Sequence, residues 1–230
     1  MKRVKLFGVM VVVFFGTQLT GFAQDSTYLS NEYSKAVALY QTAQRYNDAA
    51  LSKQALVEMS ILSPKDTFIL RSLAELYYGN RQFVSSAIVA QDINALYPNS
   101  IVGLEIQALS FENLRLYDRA IENYEKIWLQ TEDKFILFQV AYLQYSIKRY
   151  EEAKNNLNII ESGAKPEDTI QLNMSDGNFQ EVKILAGIEN VRGLIALAQE
   201  QPDQAKAHFN KALEISPEFE APKTSLEGMN

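Results

Sequence analysis

The sequence predicts an all-α fold, a solenoid of about five helical hairpins with one small β-hairpin inserted before the last. Three observations carry that expectation. A set of aromatic, small and aliphatic residues returns every 33 or 34 positions. Prolines close repeated stretches at matching places, and one segment alternates with the period of a strand instead of a helix.

The repeat is clearest in LYDRAIENYEKI, residues 116–127, where Tyr117, Ala120, Tyr124 and Ile127 are separated by three, four and three positions. RYEEAKNNLNII gives the same steps 33 residues later, with Tyr150, Ala153, Leu157 and Ile160. Phe83, Ser86, Ala90 and Ile93 precede by 34 and are followed by Pro98; Ala205, Phe209, Ala212 and Pro217 end the series. About a dozen residues before the small residue of each block stands another small one: Ala74, Ala108, Ala141 and Gly193.

Two antiparallel helices approach closely only where small side chains face each other, which is the role of pairs such as Ala108 and Ala120. Tyr117, at the start of a second helix, fills the wedge beside the turn. Tyr124 and Ile127 then lie on one face at helical steps, ready to pack on the next hairpin. Pro98 and Pro217 end their helices because the residue before a proline is pushed out of the helical region. Units are expected at about 33–66, 67–100, 101–133, 134–166 and 186–219. In the first, Ser52, Leu56, Met59 and Pro64 keep the spacing, while YNDAA suggests a frame shifted by three.

This pattern resembles the tetratricopeptide repeat (TPR) family, whose 34-residue unit carries small, aromatic and proline residues in this order; the likeness covers residues 24–219. An irregular α-solenoid of another repeat type is the alternative. The resemblance implies a right-handed superhelix in which the first helices of successive units line a groove that receives a segment of a partner protein. Carried over by position, the groove residues are Phe68, Arg71, Glu75 and Tyr78, then Glu105, Leu109 and Glu112, then Phe138, Tyr142 and Tyr145, and finally Asn190. The family's carboxylate clamp of Lys, Asn and Arg has no counterpart there, since Arg71 is the lone cation among acids and aromatics. Such a groove favours apolar anchors and a basic or neutral segment. The same aromatics could instead be buried against a neighbouring unit.

Between the fourth and fifth units, at 164–185, the helical pattern stops. Ile170, Leu172 and Met174 alternate with polar residues, Val182 and Ile184 do so again, and Asp176-Gly177 is a turn signal between them. A three-residue turn, Asp176 to Asn178, pairs Leu172 with Val182 and Ile170 with Ile184 and so gathers one apolar face. An isolated hairpin is marginal in water, so this face should lie on the helical array or on a partner. The insertion is either passive or a contact arm. Residues 220–230 begin like another first helix that Pro222 interrupts, leaving a short tail.

The first 23 residues have the layout of a secretory signal: Lys2, Arg3 and Lys5, an apolar run from Leu6 to Gly16, and the small pair Gly21 and Ala23. That run is well short of the ~20 residues a membrane-spanning helix needs. Cleavage after Ala23 leaves a soluble exported chain, periplasmic or secreted, without stable membrane insertion. Removing its three positive charges takes the formal charge from -6 to about -9, which disfavours nucleic acid as a partner. With no cysteine, disulfides, thiol nucleophiles and thiolate metal sites are excluded.

No catalytic residue, metal site or cofactor is expected. The single histidine, His208, reads as a surface residue. Glu151 and Glu152 suit the start of a helix, where the dipole favours acids. Neither a phosphate loop nor a nucleophile motif is present. The expected function is therefore a protein-interaction scaffold. Two alternatives remain: a glycan- or small-ligand-binding accessory protein, with rings stacked on Tyr77, Tyr78, Tyr142 or Tyr145, and a self-assembling structural module.

Overall fold

The computed structural model describes residues 18–173 and 178–229. Among them are eleven helices and two strands, in the order α1 (Gln18–Arg45), α2 (Ala49–Leu62), α3 (Thr67–Gly79), α4 (Phe83–Leu96), α5 (Ile101–Asn113), α6 (Tyr117–Thr131), α7 (Lys134–Ser146), α8 (Tyr150–Gly163), β1 (Thr169–Asn173), β2 (Phe179–Lys183), α9 (Ile184–Ala198), α10 (Pro202–Ile215) and α11 (Glu220–Glu227). The chain divides into two compact units, Met1–Leu76 and Tyr77–Asn230. The signal segment expected at 1–23 lies mostly outside the described residues. Among the described residues, no helix is long and apolar enough to cross a membrane.

In the first unit, α1 packs antiparallel on α2. Its contact residues are Ala36 and Ala43, both buried, opposite the buried Ser52, Ala55, Leu56 and Met59. Gln44 donates to the Ser52 hydroxyl at 3.2 Å and so satisfies one polar group at the seam. The turn is set by Asn47, 34 residues before its counterpart Arg81, and Asp48 caps α2 by accepting from the Leu51 amide. The first unit is therefore in frame. The shift suggested by YNDAA does not occur, because Ala49 opens the second helix where the other units place an aromatic or proline.

The second unit pairs α5 with α6, α7 with α8, and α9 with α10 as hairpins. The small residues do what their size permits: Ala108, Ala120, Ala141, Ala153 and Ala205 are wholly buried. Tyr124, Ile127, Leu157, Ile160, Phe209 and Ala212 are also buried, each at the position the repeat assigns to packing on the next hairpin. Tyr117 and Tyr150, first residues of α6 and α8, are half-buried beside their turns. Tyr97 and Ser216, which precede Pro98 and Pro217, leave the helical region with φ/ψ of -132/84 and -135/87 and end α4 and α10.

Each turn inside a hairpin is built alike, and without glycine. Asn47, Arg81, Arg115, Lys148 and Glu200 have φ between 53° and 65°. At the third, the Leu116 amide reaches back to the Phe111 carbonyl and the Arg115 amide to the Glu112 carbonyl, the paired bonds of a Schellman motif. The same two bonds recur around Arg81, Lys148 and Glu200. This turn aims the second helix, so α4, α6, α8 and α10 need no side-chain N-cap. The first helices α5 and α7 instead start at capping side chains, whereas α9 follows β2 directly without one. Ser100 accepts from Gly103 at 3.3 Å and Asp133 from Phe135 at 2.8 Å.

The inserted strands pair antiparallel, with Ile170 opposite Val182, Leu172 opposite Gln180 and Asn173 opposite Phe179. The expected pairing of Leu172 with Val182 and Ile170 with Ile184 is thus displaced by two residues, although the apolar side chains keep one face. The displacement follows from Ile184. It opens α9 and buries its side chain in the helical core, so the strand must end at Lys183. Ile170 and Val182 are each 4% exposed. The Ile170 side chain reaches Gly187 of α9 and the Phe138 ring of α7 around it. The hairpin is fastened along its rim as well. Lys134 pairs with Asp168 at 2.6 Å, Gln180 bonds the Glu218 carbonyl and the Glu220 amide, and the Lys183 amide donates to Ser216.

Pro222 does not interrupt the last helix. It sits in the first turn of α11, where a missing N–H costs nothing, and is buried.

Candidate protein-docking face

The surface that could receive another molecule is built from α5 to α8 in the second unit. Tyr142 and Tyr145 stand on α7, one helical turn apart, with ring centroids at 6.0 Å. Tyr150, at the start of α8, continues the row at 6.3 Å from Tyr145 across the turn. Tyr142 is 42% exposed, whereas Tyr145 and Tyr150 are half-buried, so the row has an open face and an anchored back. Tyr117 and Glu112 act electrostatically on the Tyr142 phenol from α6 and α5.

Glu112 on α5 is partly buried and accepts a hydrogen bond from the Tyr124 hydroxyl at 3.1 Å. Burial pushes its carboxyl up, and the Tyr124 hydrogen bond offsets only part of that. Burial also raises the Tyr124 phenol far above its ordinary range, with Glu112 adding to the effect. The Tyr142 phenol is raised by burial and then by Tyr117 and Glu112; that of Tyr145 is raised by burial and then by Tyr142 and Tyr150. All three phenols therefore stay neutral at physiological pH. At the edge of the face Asn113 donates to the Tyr78 hydroxyl and to the Leu109 carbonyl, each at 2.9 Å, and Tyr78 meets Phe83 edge-on at 5.4 Å.

The residues expected to line a groove are therefore not one set. Tyr78, Glu105, Leu109, Glu112, Tyr142 and Tyr145 lie on α5, α7 and the end of α3 within the second unit and are exposed or half-buried. Phe138 and Asn190 are buried, at 2% and 6% exposed, and are not available to a partner. For Phe138 the cause is the hairpin, whose Ile170 shares the space around Gly187 with its ring. The first unit holds Phe68, 67% exposed, and Arg71 paired with Glu75 at 2.7 Å. Tyr150 joins the face because a residue opening the second helix and one closing the first meet at the same turn, and Tyr117, expected as a wedge, acts on Tyr142 from α6.

A second polar cluster went unnoticed in the sequence. Glu189 of α9, 2% exposed, accepts from Arg192 at 2.9 Å, from Lys211 at 2.9 Å and meets His208 Nδ1 at 2.7 Å. Arg192 also reaches Asn158 at 2.7 Å and Glu161 at 2.6 Å on α8. Burial pushes the Glu189 carboxyl up, but hydrogen bonds from Lys211 and His208 and the Arg192 charge outweigh it and hold it below the usual carboxylate range. His208 is thus part of a lock joining α8, α9 and α10, and not a free surface residue. Among the described residues, no group of three His, Cys, Asp or Glu side chains converges as metal ligands would.

Residues 190–219 match the model of the tetratricopeptide repeat family. No curated protein matches the chain in sequence. Among solved structures, the chain resembles YrrB, described as a TPR protein with an unusual peptide-binding site. That likeness has a TM-score of 0.65 and 10% identity over 90% of this chain and 97% of YrrB. It also resembles MamA, with a TM-score of 0.62 and 12% identity over 82% of this chain and 93% of the other. MamA from Desulfovibrio magneticus RS-1 gives 0.61 and 12% over 81% and 96%. The family model thus covers the fifth hairpin, and the likeness to these solved structures shows the fold of the chain, a solenoid of helical hairpins.

Proposed function

We propose that the protein is a non-enzymatic interaction scaffold that docks a segment of another protein on the tyrosine face of α5–α8. The observation that carries this reading is the row Tyr142, Tyr145 and Tyr150, fixed at 6.0 and 6.3 Å and open on one side. Rigid tyrosines offer contact area at little entropic cost, and a row whose backs are anchored has little left to order on binding. The peptide-binding site named for YrrB supports a peptide-like partner. The rings are tilted by 52° and 35° and do not form the flat platform a sugar ring would stack on, which favours a protein segment over a glycan.

The signal layout of residues 1–23 supports export, and the absence of cysteine suits a soluble chain of the bacterial periplasm held by its core alone. The net negative charge argues against nucleic acid as the partner. The test is affinity capture from an envelope extract with the native chain beside a variant carrying Tyr78→Ala, Tyr142→Ala and Tyr145→Ala, shown folded by circular dichroism. A discrete protein held by the native chain and lost by the variant is the expected result. Equal capture by both would remove the docking face from the account.

A further inference from the structure

Glu112 is the one feature of the face that apolar docking leaves unexplained. Its carboxylate is half-buried on α5, and its one side-chain hydrogen bond comes from the neutral Tyr124 hydroxyl. No lysine or arginine of this unit pairs with it among the described residues, although the same unit pairs cations with Asp118, Glu151, Glu152, Glu161, Asp168, Glu189 and Glu218. A partly desolvated carboxylate without a cation is costly to a fold unless something else uses its charge. Glu112 and Tyr117 both act electrostatically on the exposed Tyr142, Tyr145 and Tyr150 continue the row from Tyr142 at 6.0 and 6.3 Å, and Glu105 is exposed on the same helix as Glu112. Ring faces and a carboxylate both attract positive charge.

We infer that the tyrosine row and Glu112 form a receptor for one cationic side chain of the docked segment, an arginine or lysine whose charged head lies against the Tyr142 ring with Glu112 beside it. The inference rests on the docking-face reading and deepens it by naming the partner's chemistry. Two of the chain's own cations on neighbouring elements are taken up elsewhere: Arg149 bridges Asp118 and Glu152, and Arg119 lies over the Phe111 ring at 5.3 Å. The partner is thus distinguished by charge as well as by shape, since a glutamate in the same place would meet Glu112 and Glu105 at short range.

Ring ¹H–¹³C spectra of the protein labelled at tyrosine test this with three extended peptides alike except at one central position, which holds arginine, citrulline or leucine. The arginine peptide is expected to shift Tyr142 and Tyr145 saturably, and to bind at least about fivefold more tightly than the other two. Glu112→Gln keeps an acceptor for Tyr124 and should erase most of that preference; Tyr142→Leu keeps apolar area and should erase it too, whereas Tyr142→Phe should retain it. If all three peptides bind equally at the tyrosines, the docking face stands and the cation receptor falls. If none of them moves the tyrosine resonances, both readings fall.

Discussion

Gly193→Ala asks whether the hairpins are held at the distance their small residues set. A Cβ built on Gly193 would lie 2.5, 2.6 and 3.0 Å from three carbons of the Phe209 ring. Carbon atoms in contact prefer about 3.5–4.0 Å, so the ring would have to retreat by roughly 1 Å. It has nowhere to go. Phe209 is wholly buried, packed with Ala196 and Ala205 and covered by Leu194, Leu226 and Met229. Overpacking of this kind costs about 1–3 kcal/mol, while replacing a helical glycine by alanine returns up to about 1 kcal/mol. The expected net destabilisation is about 1–2 kcal/mol, or a fall in Tm of about 2–8 °C for a unit of this size.

Urea unfolding followed by circular dichroism reads the loss. A cycle with Phe209→Leu identifies its source, because the smaller side chain makes room for the new methyl. The two changes together should cost less than their sum by at least about 1 kcal/mol. Gly103→Ala is the control. There the nearest atom is the Asn94 side-chain oxygen, the end of a flexible side chain whose turning gives up one long hydrogen bond to Gln107, so the loss should be smaller. A Gly193→Ala protein as stable as the native chain, or a strictly additive cycle, would refute the packing argument.

Four further outcomes follow from the same structure. Lys148→Gly places glycine at φ 65° on an exposed turn and should stabilise the protein by about 1 kcal/mol in thermal unfolding, by removing left-handed strain. Glu189→Leu should cost about 3–5 kcal/mol in denaturant unfolding, because Arg192, Lys211 and His208 lose their common partner. The depressed Glu189 carboxyl also gives stability that is present above the ordinary carboxylate range and fades as pH falls through its lowered value. Glu189→Gln should therefore flatten the acid limb of a stability-versus-pH profile and leave the limb above neutrality unchanged. Ile170→Ala should cost about 2–4 kcal/mol and speed amide exchange in β2 ahead of α7, if Ile170 pins the hairpin to Phe138 and Gly187.

Much of the fold could be read from spacing because the signal is local and repeated. Ala108, Ala120, Tyr124 and Ile127 are buried where helical steps put them, and the residues before Pro98 and Pro217 end their helices. The intra-hairpin turns were less visible, since Arg81, Arg115, Lys148 and Glu200 take a conformation usually marked by glycine and are fixed by backbone bonds instead. The hairpin's apolar face was legible from alternation. Its register was not, because Ile184 is claimed by α9, a tertiary event.

The candidate site divides in the same way. Tyr142 and Tyr145 follow from helical spacing, but the burial of Phe138 depends on an insertion folding back more than thirty residues later, which no local pattern reports. The Glu189 lock draws on three helices. The only trace in the sequence is a run of Glu189, Asn190 and Arg192 within the otherwise apolar ILAGIENVRGLIALA, where charges on a buried helix imply partners.

Site-specific photocrosslinking tests whether the tyrosine face is where a partner docks. A photoreactive phenylalanine derivative is placed in turn at Tyr142 on the docking face, at Ile159 on α8, and at Phe179 on the hairpin. All three side chains are exposed, at 42%, 48% and 68%. In an envelope extract, a discrete crosslinked protein is expected from position 142, suppressed by excess native chain, and none from position 159 or 179. Crosslinking to a discrete protein from 159 or 179, with none from 142, would contradict docking on that face.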